Sequence, residues 1–590
     1  MNLPPNVVAE LQQAMTHQQR GNLTEARSLY KKVLSAVPEQ FEALHFCGLL
    51  ESQNGNLAEA EMLVRRSLDV NSSRPEAFTN YALVLRSMGR DEDAIIACDK
   101  ALRLNPRHVD ALVLRANALV EIGRGTDAMA ELDKALAMQP NSPEVHNSRG
   151  HVLHELNRFA ESRASYVAAL RLRPDPTVHS NLIFALNFDP ALTAADHQAE
   201  RGRWNAMYGS QFSRFIQPHR NDPEPNRRLR IGYVSSHFRH QAATYAFASA
   251  ILGRDPEKFE VVCYSDTSYG DEVTEKLRAG ADRWCSIVGQ PDNEVAQKIR
   301  MDGIDILVDC VGHMRGHRLL VFAQKPAPIQ VTAWGEPTGT GLSAIDFLFA
   351  DPVLVPANER HLLAEKVYDL PNFLGYWTPE PLPEPGALPA HANGYVTFGS
   401  FNRSNKIQDA VLRCWAAILR AVPTARLVLK GHQAQSSQHA RVEAVMREEG
   451  VDPSRLTLLS RVDRMGHFMA YRDIDIALDP FPHAGGMTTL DALWMGVPVV
   501  AASGGTISSR LAAASLTALG LADFVAADSD AYIKLAVAKA HDLQGLADLR
   551  GSLRQRISSS AIGDPRLYAA AVESAYREMW RQWCSGRRSS

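Results

Sequence analysis

Turn-forming residues recur every 34 residues across the N-terminal part of the chain, at Gly21, Gly55, Gly89, Gly123 and Asn157. Three further columns keep the same period: Ala or Ser five residues after each turn, Leu 13 residues after it, and a small residue seven residues before it. The units are closed by Pro38, Ser72, Pro106, Pro140 and Pro174. A fixed period of this length predicts a stack of similar helical units rather than one globular core.

Each unit is predicted to form two amphipathic helices around its turn. The small residue lets the two backbones approach closely, and the proline ends the second helix. This pattern resembles the tetratricopeptide repeat, and we assign residues 1–175 to an α-solenoid of five repeats. Such a solenoid has a concave groove that usually binds peptides, so we expect a protein partner there, and the repeats can also support a homodimer.

Composition restricts the classes of function. The chain has 590 residues and a formal charge of −3, which argues against a nucleic-acid binder because neutralising phosphates takes an excess of Lys and Arg. No run approaches the roughly 18 apolar residues of a membrane span, and the first residues lack a secretory signal. The seven cysteines are scattered without a CxxC pair, which disfavours disulfides or a zinc site. We expect a soluble, cytoplasmic protein with no membrane partner.

After Pro174 the period ends. We predict one helix, Ala194 to Tyr208, followed by a polar hinge or linker, QPHRNDPEPNRR. Farther along, short β-branched runs alternate with helical stretches, and a last amphipathic helix covers Pro565–Trp583. This alternation predicts parallel, doubly wound sheets. The predicted segments are a helical linker at 176–228, a first lobe at 229–375, an interlobe linker at 376–390 and a second lobe at 391–590.

The predicted strands divide between the two lobes. They are RLRIGYVSS, FEVVCYS, IDILVDCVG and IQVTAWG in the first, and YVTFGS, ARLVLKG, LTLLS, IDIALD and VPVVAAS in the second. Two Rossmann-like lobes with a cleft between them resemble the GT-B arrangement of glycosyltransferases. Other two-lobed α/β proteins share this outline, so the pattern alone leaves the function open.

The segment DPFPHAGGMTTLDALWMGVP carries the clearest signal of a binding site. A strand ends in a Gly-rich turn, and a helix is predicted to begin near Leu490 with Thr488 and Thr489 as its cap. The free N–H groups at such a helix end suit a phosphate, and Asp491 in the first turn can accept ribose hydroxyls. The alternative is that Thr488 and Asp491 only cap the helix.

A second loop, GSFNRSNK, lies between a predicted strand and a predicted helix. Lys406 at its end can supply a positive charge to a diphosphate leaving group. Taken alone, a lysine before a helix is more often a solvated surface residue.

Several motifs in this order resemble those of glycosyltransferase family 41, the protein O-GlcNAc transferase and SPINDLY family. They are RIGYVSSHF, DILVDCVGH, APIQVTAWG, FNRSNKI, TTLDALWMGVPVV and ISSRLAAASL. Together with the repeats in front of them, the resemblance covers nearly the whole chain.

The resemblance implies an inverting transfer, without a metal or cofactor, from a nucleotide sugar to a Ser or Thr hydroxyl of a protein acceptor. In the family's main branch the nucleotide sugar is UDP-GlcNAc. It implies that Lys406 neutralises the donor diphosphate and that Asp491 binds the ribose. The other donor-site positions that it implies are Asn402, Arg403, His467, Thr488 and Thr489.

Some positions depart from the family pattern. The usual aspartate after the first strand is His237, and the following histidine, His240, comes one place early. Glu336 places a carboxylate where recognition of the acceptor or the sugar is expected. A histidine in front of the threonines is replaced by Gly486 or Met487, which we keep among the donor-site candidates.

The general base is not identified by the sequence. His240, Asp309 and His313 are the candidates, because the base must lie near the acceptor hydroxyl and have a suitable pKa. His313 ends a strand in a V-G-H turn, where its side chain is expected to point into the interlobe cleft. We expect cleft roles for His240 and His313, with a structural role as an equal alternative for each.

In O-GlcNAc transferases an asparagine ladder lines the solenoid groove. The matching column here reads Gln12, Phe46, Asn80, Leu114 and Ser148. Only Asn80 fits, so this mode of acceptor binding is not expected. Two alternative functions stay open: a SPINDLY-like transfer of fucose from GDP-fucose, and a non-enzymatic scaffold with a degenerate transferase domain.

Overall fold

The structure is a computed structural model that describes residues 4–378, 381–431 and 436–588. Contacts divide the chain into two units, Met1–Glu155 with Ala164–Arg173, and Leu156–Arg163 with Pro174–Ser590. The repeat helices are α1 (Pro5–Gln19), α2 (Leu23–Ala36), α3 (Phe41–Gln53), α4 (Leu57–Val70), α5 (Pro75–Ser87), α6 (Asp91–Leu104), α7 (Val109–Glu121), α8 (Gly125–Met138), α9 (Pro143–Glu155) and α10 (Phe159–Leu172). No helix in these described ranges has the length and apolarity that crossing a membrane requires.

The 34-residue columns have a direct structural cause. Each turn residue has a positive φ, from 62° at Asn157 to 82° at Gly55, which favours Gly and Asn. The small column lies where the paired helices meet: a Cβ at Gly48 would come within 2.6 Å of Val64 Cγ2. The predicted helical solenoid is therefore confirmed.

The segment after the repeats contains more helix than the sequence pattern predicted. Helix α11 (Pro176–Leu186) precedes α12 (Ala194–Trp204), and a π turn at Asn205–Gly209 and a 3-10 turn at Ser210–Phe215 follow. The Asp175 side chain caps α11 by accepting from the N–H groups of Thr177 and Val178. The polar stretch predicted to be a hinge or linker contacts the first lobe, since Asn221 and Arg227 both donate to Asp305.

The first lobe is built on one parallel sheet. Its order is β3-β2-β1-β4-β5-β6-β7, with every pairing parallel. The strands are β1 (Leu229–Ser235), β2 (Phe259–Ser265), β3 (Arg283–Ser286), β4 (Ile306–Asp309), β5 (Ile329–Thr332), β6 (Phe347–Ala350) and β7 (Lys366–Asp369). The helices are α13 (Ala242–Leu252), α14 (Glu272–Gly280), α15 (Asp292–Met301) and α16 (Leu319–Ala323).

The second lobe repeats this plan. Its sheet has the parallel order β10-β9-β8-β11-β12-β13. The strands are β8 (Thr397–Ser400), β9 (Arg426–Lys430), β10 (Leu456–Leu459), β11 (Ile476–Leu478), β12 (Val499–Ala502) and β13 (Val525–Ala526). The helices are α17 (Pro389–Asn393), α18 (Asp409–Ala421), α19 (Ser437–Glu448), α20 (Arg464–Ala470), α21 (Met487–Trp494), α22 (Leu511–Ala518), α23 (Ser529–His541) and α24 (Leu543–Ser558).

The last helix, α25 (Pro565–Arg588), returns to the first lobe. The Trp334 indole donates to the Tyr568 hydroxyl at 2.7 Å, and the hydroxyls of Tyr233 and Tyr576 lie 3.2 Å apart. The helix predicted to close the second lobe therefore completes the core of the first.

Candidate active site

The order of the second sheet indicates where a ligand can bind. Strands β8 and β11 are neighbours, but the chain continues from β8 to β9 on one side and from β11 to β12 on the other. In open parallel sheets this switch point leaves a crevice at the carboxyl ends of the strands. The two loops that carry the predicted donor site, Phe401–Gln408 and Asp479–Gly486, leave β8 and β11 at this crevice.

Lys406 joins these two loops. It lies at the end of a 3-10 turn after β8 and donates from Nζ to the carbonyl oxygen of Ala484 at 2.7 Å. Asn402, on the same loop, accepts a hydrogen bond from Thr488 Oγ1 at 2.9 Å. Residues predicted from two separate motifs thus lie together.

Helix α21 begins three residues earlier than predicted, with Gly486 as its N-cap and Met487 as its first residue. The two threonines consequently lie in the first turn and do not cap the helix. Thr489 Oγ1 is buried and has no hydrogen-bond partner. The N–H groups of Met487 and Thr488 precede the first intrahelical bonds, which Thr489 and Leu490 make to the Gly486 carbonyl oxygen. They lie at the positive end of the helix dipole, so the site suits an anion.

Gly485 brings the backbone close to this end of the helix. Its N–H donates to Asp479 Oδ1 at 2.9 Å, whereas Asp479 Oδ2 is buried without a partner. Burial lowers the pKa of Lys406 and raises the pKa of Asp479, because each charge loses its hydration. The lysine charge opposes the rise at Asp479, and the Asp479 charge opposes the fall at Lys406.

Asp491 is held by His467, which was among the predicted donor-site residues, and by Tyr376, which was not. Its Oδ1 accepts from the Tyr376 hydroxyl at 2.8 Å, and its Oδ2 lies 3.2 Å from His467 Nε2. The other ring nitrogen of His467 is hydrogen-bonded to Lys430 Nζ. Burial lowers the pKa of Lys430 to about 8. Since the ammonium of Lys430 can only donate, its bond to Nδ1 assigns the proton of the neutral imidazole to Nε2, which donates to Asp491.

Three donor-site candidates lie at the edge of this arrangement. Gly486 and Met487 are partly exposed at the start of α21, and Arg403 is exposed on the loop after β8. Burial lowers the pKa of His237, in the first lobe, to about 4, and the charges of Arg239 and Arg403 act in the same direction. Arg403 therefore lies near enough to the loop after β1 to influence it.

His240 is placed at the edge of the first lobe that meets the second. Its Nδ1 is hydrogen-bonded to the Tyr245 hydroxyl, and its Nε2 lies 2.5 Å from the Glu272 carboxylate. The guanidinium of Arg464, from the second lobe, lies 4.0 Å from the centroid of the Tyr245 ring. His240 is thus an accessible imidazole oriented by a carboxylate.

The expectation that His313 points into the cleft is wrong. The residue is 1% exposed, and its ring nitrogens are hydrogen-bonded to Ser180 Oγ at 2.9 Å and to the Thr340 carbonyl oxygen at 2.8 Å. Asp309 is equally buried and accepts from Thr332 Oγ1 and from two N–H groups of the turn that follows it. Burial raises the pKa of Asp309 to about 6.

Glu336 is likewise not available for recognition. Its Oε1 accepts from Arg201 at 2.9 Å and from Asn187 Nδ2 at 2.7 Å, and its Oε2 accepts from the His313 N–H at 3.1 Å. Arg201 is fully buried and Glu336 is 5% exposed. The carboxylate therefore fixes the helical linker to the first lobe.

Comparisons with known proteins identify the family and the fold. The model of glycosyl transferase family 41 matches residues 205–376 and 387–572, and tetratricopeptide repeat models match residues 11–69, 47–109, 85–152 and 143–176. A solved mutant of the O-GlcNAc transferase of Thermobaculum terrenum is 35% identical, with a TM-score of 0.80, and the match covers 87% of this chain and 98% of that one.

Curated relatives match about three fifths of the chain. The SPINDLY protein of Solanum lycopersicum, named as a probable UDP-N-acetylglucosamine–peptide N-acetylglucosaminyltransferase, is 36% identical over 62% of this chain and 40% of its own length. The peptide N-acetylglucosaminyltransferase of Caenorhabditis elegans is 25% identical over 63% of this chain and 42% of its own length. The chain spans about two fifths of the length of these relatives. The chain belongs to glycosyltransferase family 41, with tetratricopeptide repeats in front of two Rossmann-like lobes.

Proposed function

We propose that the protein is an O-glycosyltransferase that moves GlcNAc from UDP-GlcNAc to Ser or Thr hydroxyls of protein acceptors, with inversion and without a metal or cofactor. The observation that carries the proposal is the position of Lys406 beside the first turn of α21, at the switch point of the second sheet. An ammonium group and a helix N-terminus together offer the positive charge that a departing diphosphate needs.

The residues divide the chemistry between them. The diphosphate is bound by Lys406, by the N–H groups of Met487 and Thr488 and by the hydroxyl of Thr489. The ribose is bound by Asp491. The acceptor oxygen attacks the anomeric carbon while the bond from that carbon to the phosphate oxygen breaks, so the nucleoside diphosphate leaves with the bonding electrons. The acceptor gives its proton to a base on the first lobe.

His240 is the base that the geometry supports best among the three candidates. It is accessible, and the Glu272 carboxylate orients its imidazole. His313 and Asp309 are each 1% exposed, so neither can reach an acceptor hydroxyl in this conformation. The acceptor protein is proposed to use the interlobe cleft for its Ser or Thr and the solenoid groove for further contacts.

The test is calorimetric titration with UDP, GDP and UDP-GlcNAc, followed by transfer assays on acceptors identified by mass spectrometry. Lys406→Ala should weaken nucleotide binding and lower kcat by about 10²–10³-fold, the usual cost of removing one group that stabilises developing charge. The matched control is Lys534→Ala, which removes an exposed lysine of the same lobe. It should retain the nucleotide affinity and the kcat of the wild type. Full activity of Lys406→Ala would overturn the proposal, and absence of binding by the wild type would favour a scaffold.

The second candidate keeps the reaction but uses GDP-fucose. The SPINDLY protein of Solanum lycopersicum is 36% identical to this chain and the O-GlcNAc transferase of Thermobaculum terrenum is 35% identical, so these identities do not separate the two donors. Tighter binding of GDP than of UDP, with transfer of fucose to the same acceptors, would select this donor.

A further inference from the structure

The segment after α11 lies against both loops of the donor site. Phe188 is 2% exposed, and its ring stacks on His483 with a centroid distance of 4.4 Å and an interplanar angle of 5°. The carbonyl oxygen of Phe188 accepts from Gln408 Nε2 at 2.8 Å. One residue of the helical linker therefore contacts the second lobe through its ring and through its backbone.

Both contacts are close in sequence to Lys406 and its partner. Gln408 is two residues after Lys406, and His483 directly precedes Ala484, whose carbonyl oxygen accepts from Lys406 Nζ at 2.7 Å. The Ala484 N–H donates to the Ser508 carbonyl oxygen at 3.0 Å. Phe188 thus restrains the loop that carries the ammonium and the loop that receives it.

The linker segment is held by both lobes next to Phe188. Asn187 donates from Nδ2 to Glu336 of the first lobe at 2.7 Å. The Asn187 carbonyl oxygen accepts from Ser508 Oγ of the second lobe at 3.4 Å. The position of Phe188 is therefore defined by the first lobe as well as by the second.

We propose that Phe188 is a positioning residue of the donor site, which acts on the diphosphate through His483, Gln408 and the two loops that place Lys406. The inference rests on the proposed function, because it assigns Lys406 to a nucleoside diphosphate. It makes the helical linker a part of the donor site and not only a connection between the repeats and the lobes. Flat stacking of two aromatic rings fixes the orientation of a loop more narrowly than aliphatic contact does.

The experiment compares Phe188→Leu with Phe212→Leu in the full chain, using UDP and GDP as probes. Phe212 lies on the same linker and packs against the core of the first lobe, so it controls for a general loss of aromatic packing. Phe188→Leu should weaken binding of the preferred nucleotide about tenfold, which corresponds to about 1.4 kcal/mol. Phe212→Leu should bind like the wild type.

A second measurement separates positioning from mere destabilisation. Burial lowers the pKa of Lys406, while the charge of Asp479 opposes this and that of Arg403 adds to it. Loosening the two loops would admit water and so weaken the effect of burial. The pH at which nucleotide binding falls should therefore move upward in Phe188→Leu, towards the titration of an ordinary lysine. His483→Ala, which removes the same stack from a partly exposed position, should show the same shift if Phe188→Leu fails to fold.

Unchanged affinity and an unchanged pH profile in the folded Phe188→Leu or His483→Ala variant would overturn the inference. Equal losses in Phe188→Leu and Phe212→Leu would overturn it as well, because a packing defect would then explain both. If the wild type bound neither UDP nor GDP, the proposed function would already have failed, a result distinct from failure of the Phe188 inference alone.

Discussion

Among single residues, the two glycines before α21 differ in the room around them. A Cβ at Gly485 would lie 2.5 Å from Asp479 Oδ1 and 2.7 Å from the hydroxyl oxygens of Thr488 and Thr489, whereas at Gly486 the nearest atom lies at 3.6 Å. Gly485→Ala should displace these oxygens at a cost of about 1–3 kcal/mol and weaken nucleotide binding. Gly486→Ala should bind the nucleotide nearly as the wild type does. Equal affinities of the Gly485→Ala and Gly486→Ala variants by calorimetry would contradict the placement of the nucleotide against Gly485.

The titration of Lys406 predicts the direction of pH dependence. Burial lowers the pKa of Lys406 and raises that of Asp479. As the pH rises, the lysine loses its positive charge earlier than usual and the aspartate gains a negative one, so both changes weaken binding of an anion. Affinity for the preferred nucleotide should therefore fall as the pH rises through about 7, the value to which burial moves the pKa of both groups.

The matched variant for this pH dependence is Lys406→Met, which keeps a long side chain without a charge. This variant should bind the nucleotide more weakly, and its affinity should depend less on pH than that of the wild type. A wild-type affinity that rises with pH would contradict the assignment of Lys406 to the diphosphate.

Local patterns could predict some of these residues but not others. Lys406, Thr488 and Asp491 belong to a loop and a helix start whose chemistry is visible within a few residues of sequence. The partners of His313 and Glu336 could not be predicted from local sequence. Ser180 lies 133 residues from His313, and Arg201 lies 135 residues from Glu336. A turn sequence such as V-G-H shows that a side chain leaves a strand end, but only distant packing decides whether it is covered.

At the scale of elements, the buried Arg201–Glu336 pair joins the helical linker to the first lobe. Arg201→Met should destabilise the lobes by about 3–5 kcal/mol, because it leaves Glu336 as an uncompensated buried charge. The double variant Arg201→Met with Glu336→Leu should lose less of the free energy of unfolding, since neither charge of the pair then remains buried. Unfolding followed by circular dichroism provides the measurement.

Arg203→Met is the matched control for this experiment. Arg203 is exposed and pairs with the partly buried Glu200 of the same helix. We expect its loss to cost about 0–1 kcal/mol, as for surface pairs, because Glu200 keeps its contact with His179. A double variant that is less stable than Arg201→Met alone would show that packing, not the buried charge, dominates.

The elements that the sequence predicted are those with strong periodicity. The repeat helices follow from four columns of residues, and the central strands follow from continuous β-branched runs. Strands β3, β6, β7 and β13 were not predicted: β3 and β7 are edge strands with partly exposed residues, and β13 has only two residues. Helix α11 was missed because it begins where the 34-residue period ends.

At the scale of the whole molecule, the proposed mechanism predicts activity without a metal. Treatment with EDTA should leave transfer unchanged, because Lys406 and α21 supply the positive charge at the diphosphate. In the described part of the chain, His240, Asp271 and Glu272 form a group that could hold a cation. Loss of activity on EDTA treatment, with recovery on adding a divalent ion, would contradict metal independence.

The return of α25 to the first lobe has a consequence for synthesis on the ribosome. The core around Tyr233 and Trp334 lacks its cover until residues after Pro565 have emerged, by which time the second lobe is already outside the exit tunnel. The core of the nascent first lobe therefore stays incompletely packed while the second lobe is translated. The first lobe therefore cannot complete its core before the last helix of the chain has been made.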